Sequence, residues 1–133
     1  MKRTFFLLAL FLLLCSVVLV ADDKKKSDKV TTITGEVVDV ACYLHQGAKG
    51  DDHKACAEAC AKGGGTLGIL TEDNKLYVSL FPDNHKQGPN AMLMDHIAHT
   101  VEVKGYVRSS GGVNGIMITS VSMPKMEKKM EKK

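Results

Sequence analysis

Apolar and polar residues alternate in five segments of the chain, and this pattern predicts five β-strands. Alternation places the apolar side chains on one face of a half-buried strand, and β-branched residues, which favour strands, are frequent in these segments. The predicted strands cover residues 31–40, 66–73, 75–81, 100–109 and 113–123. The pair Asp73-Asn74 predicts a hairpin turn between the second and third strands, and Gly111-Gly112 predicts one between the fourth and fifth.

Two segments between the strands have the residue spacing of helices. Residues 51–62 begin with two aspartates, which suit a helix N-terminus. The segment is followed by three glycines at 63–65, which suit a helix C-terminus. Residues 89–98 carry Leu93 and Ile97 four positions apart, which gives a helix one apolar side. We therefore expect one helix between the first two strands and a second between the third and fourth.

This order of elements predicts a small β-barrel. Five strands with a helix between the third and fourth have the connectivity of the OB-fold. We expect a mainly β domain over residues 30–123, a five-stranded OB-like barrel with a Cys/His helix in an insert at residues 42–65. The passage IAHTVEVKGYV resembles the stretch after the helix in exported bacterial OB-fold proteins, in which a glycine is expected at the position of His99.

The first 21 residues have the composition of a secretory signal peptide. Lys2 and Arg3 precede sixteen apolar or small residues at 5–20, and Ala21 is the natural cleavage position. The apolar run is slightly short for a membrane span, so an uncleaved anchor is the alternative. Cys15 lies within this run and would be removed with the signal. We expect a periplasmic or secreted protein.

Charge and motif content narrow the classes of function. The polar leader 22–29 and the Lys/Glu tail 124–133 are predicted to be solvated and disordered. Removing the signal from the 18 basic and 15 acidic residues leaves 16 basic ones, so the net charge is about +1. Without the signal the chain is near-neutral and Arg108 is its single arginine, which does not fit nucleic-acid binding. Since hydrolase and phosphate-loop motifs are also absent, we expect a binding protein that is not an enzyme.

One histidine and three cysteines form the candidate metal site. His53, Cys56 and Cys60 are spaced i, i+3 and i+7, which places them within a sector of about 60° on a helix. Cys42 follows the first strand, and a loop with two glycines can bring it over this stripe, with His45 as an alternate ligand. Thiolates and imidazole suit tetrahedral zinc, and soft thiolates equally suit Cu(I). The predicted cofactor is a copper or zinc ion.

The same cysteines have a competing interpretation as a disulfide. Cysteines of exported proteins tend to pair, and a bond from Cys42 to Cys56 or Cys60 would pin the insert to the first strand. Closing a loop of that length stabilises a fold by roughly 3 kcal/mol. The third cysteine would remain a thiol, so a thiol–disulfide redox role is also open. Metal binding, a disulfide-stabilised binding domain and a redox protein all remain hypotheses at this point.

A second and weaker candidate site lies in the predicted second helix. Met92, His96 and His99 are spaced i, i+4 and i+7, and methionine with histidine can hold copper in an exported protein. The usual role of methionines in such a position is to fill the core.

The region around the cysteines carries a resemblance. The patterns G-x-V-x-D-x-x-C-Y and H-x-x-C-A-x-x-C resemble a largely uncharacterised family of small exported bacterial OB-fold-like proteins. The matching positions are Gly35, Val37, Asp39, Cys42, Tyr43, His53, Cys56, Ala57 and Cys60. The resemblance implies the barrel fold and singles out the cysteine region.

The expected partners are a metal ion and an exported protein, with no nucleic acid and no membrane contact beyond an uncleaved signal.

Overall fold

The computed structural model describes residues 29–82 and 86–124, which form a barrel with two short α-helices. The predicted signal peptide lies outside the described residues. So do the predicted polar leader, except for Lys29, and the predicted tail beyond Pro124. All structural statements below concern the described residues.

Five strands close the barrel. They are β1 (Val30–Asp39), β2 (Leu67–Leu70), β3 (Leu76–Ser79), β4 (Thr100–Ser110) and β5 (Val113–Ser122). Their order around the barrel is β1-β2-β3-β5-β4, with β4 pairing again with β1. Every pair is antiparallel except β3 and β5, which run parallel. Each strand overlaps one predicted segment, so the prediction of a mainly β, five-stranded barrel is confirmed.

The two predicted hairpin turns are also present. Gly111 and Gly112 have φ angles of 59° and 78°, the positive pair that a tight two-residue hairpin needs. Asn74 has a φ of 59° in the turn between β2 and β3. There the amide of Thr71 donates to the carbonyl of Lys75 at 2.9 Å and closes the hairpin.

The core is formed by the apolar faces of the strands together with residues from the connections. Ile69, Val101, Val103 and Ile116 are fully buried along the strands. Leu93, which belongs to no strand, is also fully buried and packs into the same cluster. The β3–β4 connection therefore covers one side of the barrel interior.

The insert between β1 and β2 contains two helices where one was predicted. Residues Asp51–His53 form a short 3-10 helix that leads into α2 (Lys54–Lys62), which confirms the predicted helix. The first helix, α1 (Val40–Gln46), was expected to be a loop, and this expectation was wrong. A seven-residue helix without a repeating apolar face leaves no periodic signal. Its ends are fixed instead by the Asp39 side chain and by Gly47 in the left-handed conformation.

The predicted second helix at 89–98 is not formed as an α-helix. The segment consists of turns followed by a 3-10 helix at Met94–His96. Its amides donate mostly to carbonyls three residues back, as from Leu93 to Asn90 and from His99 to His96. Leu93 and Ile97 are both buried, so the apolar side was predicted correctly although the helix was not.

The side chain of Asn90 ties this connection to the start of β2. Its Nδ2 donates to the carbonyl of Gly65 at 2.6 Å, and its Oδ1 accepts from the amide of Leu67 at 2.9 Å. The hydroxyl of Ser79 donates to the same Oδ1 at 3.3 Å. The side chain of Asn90 thus links the β3–β4 connection to the start of β2 and to the end of β3.

In the turn before β4, the residue with a left-handed backbone conformation lies one position earlier than expected. Ala98 has a φ of 67°, whereas a glycine was expected at His99. The Ala98 amide donates to the Val37 carbonyl at 2.9 Å, and the Val37 amide donates to the His99 carbonyl at 3.0 Å. This pairing with β1 holds an alanine in a conformation that favours glycine.

Candidate metal centre

The insert folds back onto the end of β1, which brings the cysteines together. The last paired residue of β1 is Asp39, opposite Leu67 of β2, and the amide of Val40 donates to the carbonyl of Thr66 at 3.0 Å. The chain thus leaves the sheet after Asp39 and returns beside the same point. Since α1 begins directly after Asp39 and α2 ends just before β2, both helices are anchored at the same end of the barrel.

The thiols of Cys42 and Cys60 are neighbours, with their Sγ atoms 4.0 Å apart. A disulfide has a sulfur–sulfur bond of about 2.05 Å, so the two are not bonded. At a metal–sulfur distance of about 2.3 Å, sulfur–sulfur separations are about 3.8 Å in a tetrahedral site and about 4.0 Å in a planar three-coordinate one. The observed spacing is compatible with two ligands of one ion and equally with a thiol–thiol hydrogen bond.

Two overlapping sets of ligand atoms surround Cys42. The outer set consists of Cys42, His53 and Cys56, and the inner set of Asp39, Cys42 and Cys60. Within each set every ligand atom lies within 4.8 Å of the others. Cys42 belongs to both sets, so the cluster of Cys42, His53, Cys56 and Cys60 predicted from the sequence is brought together and could hold a metal ion.

Burial increases from the outer to the inner set. Cys56 is exposed on α2, and Cys42, His53 and Cys60 are half-buried. Asp39 is only 1% exposed. The cluster is therefore open to solvent on one side, at Cys56, and closed by the barrel on the other.

Asp39 is a candidate ligand that the sequence analysis left out of the site. One carboxylate oxygen, Oδ1, accepts the Cys42 amide at 2.8 Å and caps α1. The other oxygen, Oδ2, is buried and has no hydrogen-bond partner among the described residues. The sequence signal that could have identified it is its position three residues before Cys42, the spacing of a helix N-cap.

The Asp39 carboxylate acts on the Cys42 thiol mainly through a side-chain hydrogen bond, and its charge adds to this effect. This carboxylate is the main cause that raises the pKa of Cys42 to about 12, and burial and the Cys60 thiol act in the same direction. For Cys60 the neighbouring Cys42 thiol lowers the pKa, but burial together with Cys56 and Asp39 outweighs it, and the pKa is raised. Both thiols are thus held protonated in the metal-free protein, and a cation must displace their protons.

His53 presents a second unpartnered atom. Its Nε2 is buried and has no hydrogen-bond partner among the described residues. The imidazole borders a small cavity between the insert and the barrel, together with Ala57 and Ile97. His53 belongs to the outer ligand set through one of its two ring nitrogens.

Other predicted site residues are not brought into this cluster. His45 is exposed on the last turn of α1 and belongs to neither ligand set. Met92, His96 and His99 share no helix face, because only a three-residue 3-10 helix forms in their segment. All three described cysteines are free thiols, and none forms the disulfide considered above.

Comparison of the chain with protein-family models, curated proteins and solved structures finds no match. In the described part of the chain, none of the helices combines the length and apolar character that crossing a membrane would require. The assignment of function therefore depends on the cluster itself.

Proposed function

We propose that this protein is an exported, non-enzymatic metal-binding module that holds one copper or zinc ion. The ligands are Cys42, Cys56, Cys60 and His53. The observation that carries the proposal is the 4.0 Å separation of the Cys42 and Cys60 thiols, with His53 and Cys56 grouped around Cys42. Thiolate and imidazole ligands suit both ions.

The barrel supports this proposal because its strand order fits an OB-like fold. Strands β1-β2-β3-β5-β4 close with β3 parallel to β5, and the cysteine insert occupies the connection between β1 and β2. In OB-folds that connection is one of the loops that bind ligands. The proposed metal site would thus lie in a connection that OB-folds commonly use for ligand binding, and here the cysteines of that connection would supply the ligands.

Export supports metal binding as well. The proposed signal peptide would deliver the protein to an oxidising compartment, in which unprotected thiols pair or are oxidised. Coordination to a metal keeps thiolates from reacting, so three cysteines within one cluster are best explained as ligands. The open side at Cys56 would let the ion enter and leave.

Metal analysis of the exported protein tests the proposal. The full chain is produced with its signal and isolated anaerobically without chelators. Its metal content is then measured by inductively coupled plasma mass spectrometry. We expect one copper or zinc ion per chain in the wild type and its loss in Cys42→Ser, since Cys42 belongs to both ligand sets. The matched control is His45→Ala, which changes an exposed residue of the same helix and should retain the metal.

The outcome that would overturn the proposal is a wild-type protein that carries no metal, cannot be loaded with either ion, and has all three thiols reduced.

The adjacency of Cys42 and Cys60 favours one alternative function. If the exported protein instead lacks metal and contains a Cys42–Cys60 disulfide, it is a disulfide-stabilised scaffold or, with Cys56 as the attacking thiol, a thiol–disulfide redox protein.

A further inference from the structure

Asp39 combines three properties that an N-cap alone does not require. It is 1% exposed, it lies in the inner ligand set with Cys42 and Cys60, and its Oδ2 has no partner among the described residues. Capping uses only Oδ1, which serine or asparagine would supply equally well. Oδ1 already accepts the Cys42 amide at 2.8 Å, and the buried Oδ2 is available to a further partner such as a cation.

The backbone at Gly65 packs closely against Oδ2 of Asp39. A Cβ atom at Gly65 would lie 3.0 Å from this oxygen and 2.9 Å from the Cys60 carbonyl. The absence of a side chain at Gly65 lets the end of α2 approach the carboxylate closely. The ligand atoms of Asp39, Cys42 and Cys60 lie within 4.8 Å of one another.

We infer that Asp39 is a metal ligand through Oδ2 and that it directs the site toward divalent, zinc-like cations and away from Cu(I). This inference rests on the proposed metal-binding function. A carboxylate oxygen is an ordinary ligand for zinc but a poor one for Cu(I), which takes soft sulfur ligands.

Charge leads to the same conclusion. Asp39 and the thiolates of Cys42 and Cys60 bring three negative charges to the inner set, and Cys56 adds a fourth. Attraction to a fixed negative charge scales with the charge of the cation, so each carboxylate favours a divalent ion twice as strongly as a monovalent one. The burial of Asp39 increases this difference, because water screens its charge poorly.

Separate affinities for Zn(II) and Cu(I) test this inference. Both dissociation constants are measured anaerobically on the full chain by competition with a chelator of known affinity for each ion. The test variant is Asp39→Asn, which keeps the shape and a capping oxygen but removes the charge. We expect the preference for Zn(II) over Cu(I) to fall at least about 10-fold. Retained Cu(I) binding in the same sample shows that the thiols are still assembled.

A second variant and a control complete the experiment. Asp39→Ser retains an oxygen for the Cys42 amide, and it should show the same loss of preference if Asp39→Asn does not fold. Asp52→Asn removes the same charge from an exposed position in the insert, and it should leave the preference unchanged. An Asp39 variant that weakens both ions equally, or neither, would overturn the inference and leave the proposed function intact. A wild type that binds neither ion would instead overturn the proposed function.

Discussion

The thiols of Cys42 and Cys60 lie 4.0 Å apart although the two residues are 18 positions apart in the chain. The sheet produces this proximity, because α1 starts at the end of β1 and α2 ends at Lys62, shortly before β2 begins at Leu67. The amide of Gly65 donates to the Cys60 carbonyl at 2.8 Å, and two residues later Leu67 is paired with Asp39. Any change that separates β1 from β2 at this end should therefore also separate the thiols.

Oxidation of the metal-free protein should link Cys42 to Cys60 and leave Cys56 free. A small side-chain movement can bring the two sulfurs from 4.0 Å to bonding distance, whereas two cysteines four apart on α2 are badly oriented for a bond. Intact mass after mild oxidation should show the loss of two hydrogens, and peptide mapping should find the alkylated thiol at Cys56. A disulfide that contains Cys56 would contradict the observed arrangement.

Alkylation of the reduced, metal-free protein should be fastest at Cys56 and slowest at Cys42. Cys56 is exposed, and the pKa of Cys42 is raised from 9.0 to about 12, chiefly by Asp39. Only the thiolate reacts, so the rate at Cys42 should still be rising as the pH passes above 9. Quenched alkylation followed by peptide mass spectrometry measures each rate. Equal rates at the two positions would contradict the prediction.

The same pKa fixes the sign of a stability effect. The folded-state pKa of Cys42 lies above the value of an unperturbed thiol, so the protonated thiol stabilises the fold below pH 9. This stabilisation is lost as the pH rises from 9 towards 12. Asp39→Asn should reduce this loss, because the main cause of the raised pKa is removed. Urea denaturation of wild type and variant across this range measures the difference.

Replacement of His53 should weaken metal binding, and replacement of His45 should not. His53 belongs to the outer ligand set and has a buried Nε2 without a partner among the described residues, while His45 is exposed. We expect His53→Ala to lower the affinity for Zn(II) at least about 10-fold, with His45→Ala as the matched control. Titration against a zinc chelator measures both. A larger loss for His45→Ala would assign the imidazole ligand to α1.

Addition of one methyl group at Gly35 should destabilise the barrel. A Cβ atom there would lie 2.5 Å from the Leu70 carbonyl and 2.8 Å from the Ile69 side chain, so β1 and β2 would have to separate. Gly35→Ala should cost about 1–3 kcal/mol in the free energy of unfolding. The control is Gly88→Ala, because nothing lies within 4 Å of a Cβ atom at Gly88. Urea denaturation compares the two, and similar stabilities would contradict the prediction.

Replacement of Ala98 by glycine should stabilise the protein. Ala98 has a φ of 67°, which costs about 1–2 kcal/mol for a residue with a Cβ atom. Glycine removes that cost, but the greater freedom of the unfolded chain costs about 0.5–1 kcal/mol, so a gain of up to about 1.5 kcal/mol remains. The control Ala91→Gly, at an exposed position without a positive φ, should be neutral or destabilising. Thermal denaturation distinguishes the two variants.

The strands could be predicted from the sequence because each has enough alternating positions to show which face is buried. In β4, Val101 and Val103 are fully buried while Lys104 is exposed, as the pattern indicated. The β3–β4 connection could not be predicted correctly. Its apolar spacing at Leu93 and Ile97 suits a helix, but the segment also makes contacts with distant parts of the chain, such as the bonds of Asn90 to Gly65 and Leu67, which no local pattern contains.

The candidate site was predicted in part for a similar reason. The i, i+3, i+7 spacing identified His53, Cys56 and Cys60 because they belong to one helix. Cys42 was expected to approach the helix on a flexible loop. In the structure it belongs to the short helix α1, which begins directly after β1. Asp39 was not included, because its burial and its unpartnered oxygen depend on contacts between segments that no local pattern contains.

The amide of Asn90 also makes the barrel sensitive to chemical ageing. Its Nδ2 donates to the Gly65 carbonyl at 2.6 Å, and deamidation would replace that donor with an oxygen that can only accept. Two oxygens would then face each other where the insert rejoins the sheet, and the Gly65 carbonyl would lose its partner. In protein stored for a long time, deamidation of Asn90 should therefore loosen the attachment of the insert to the barrel first. This change would occur at any metal concentration.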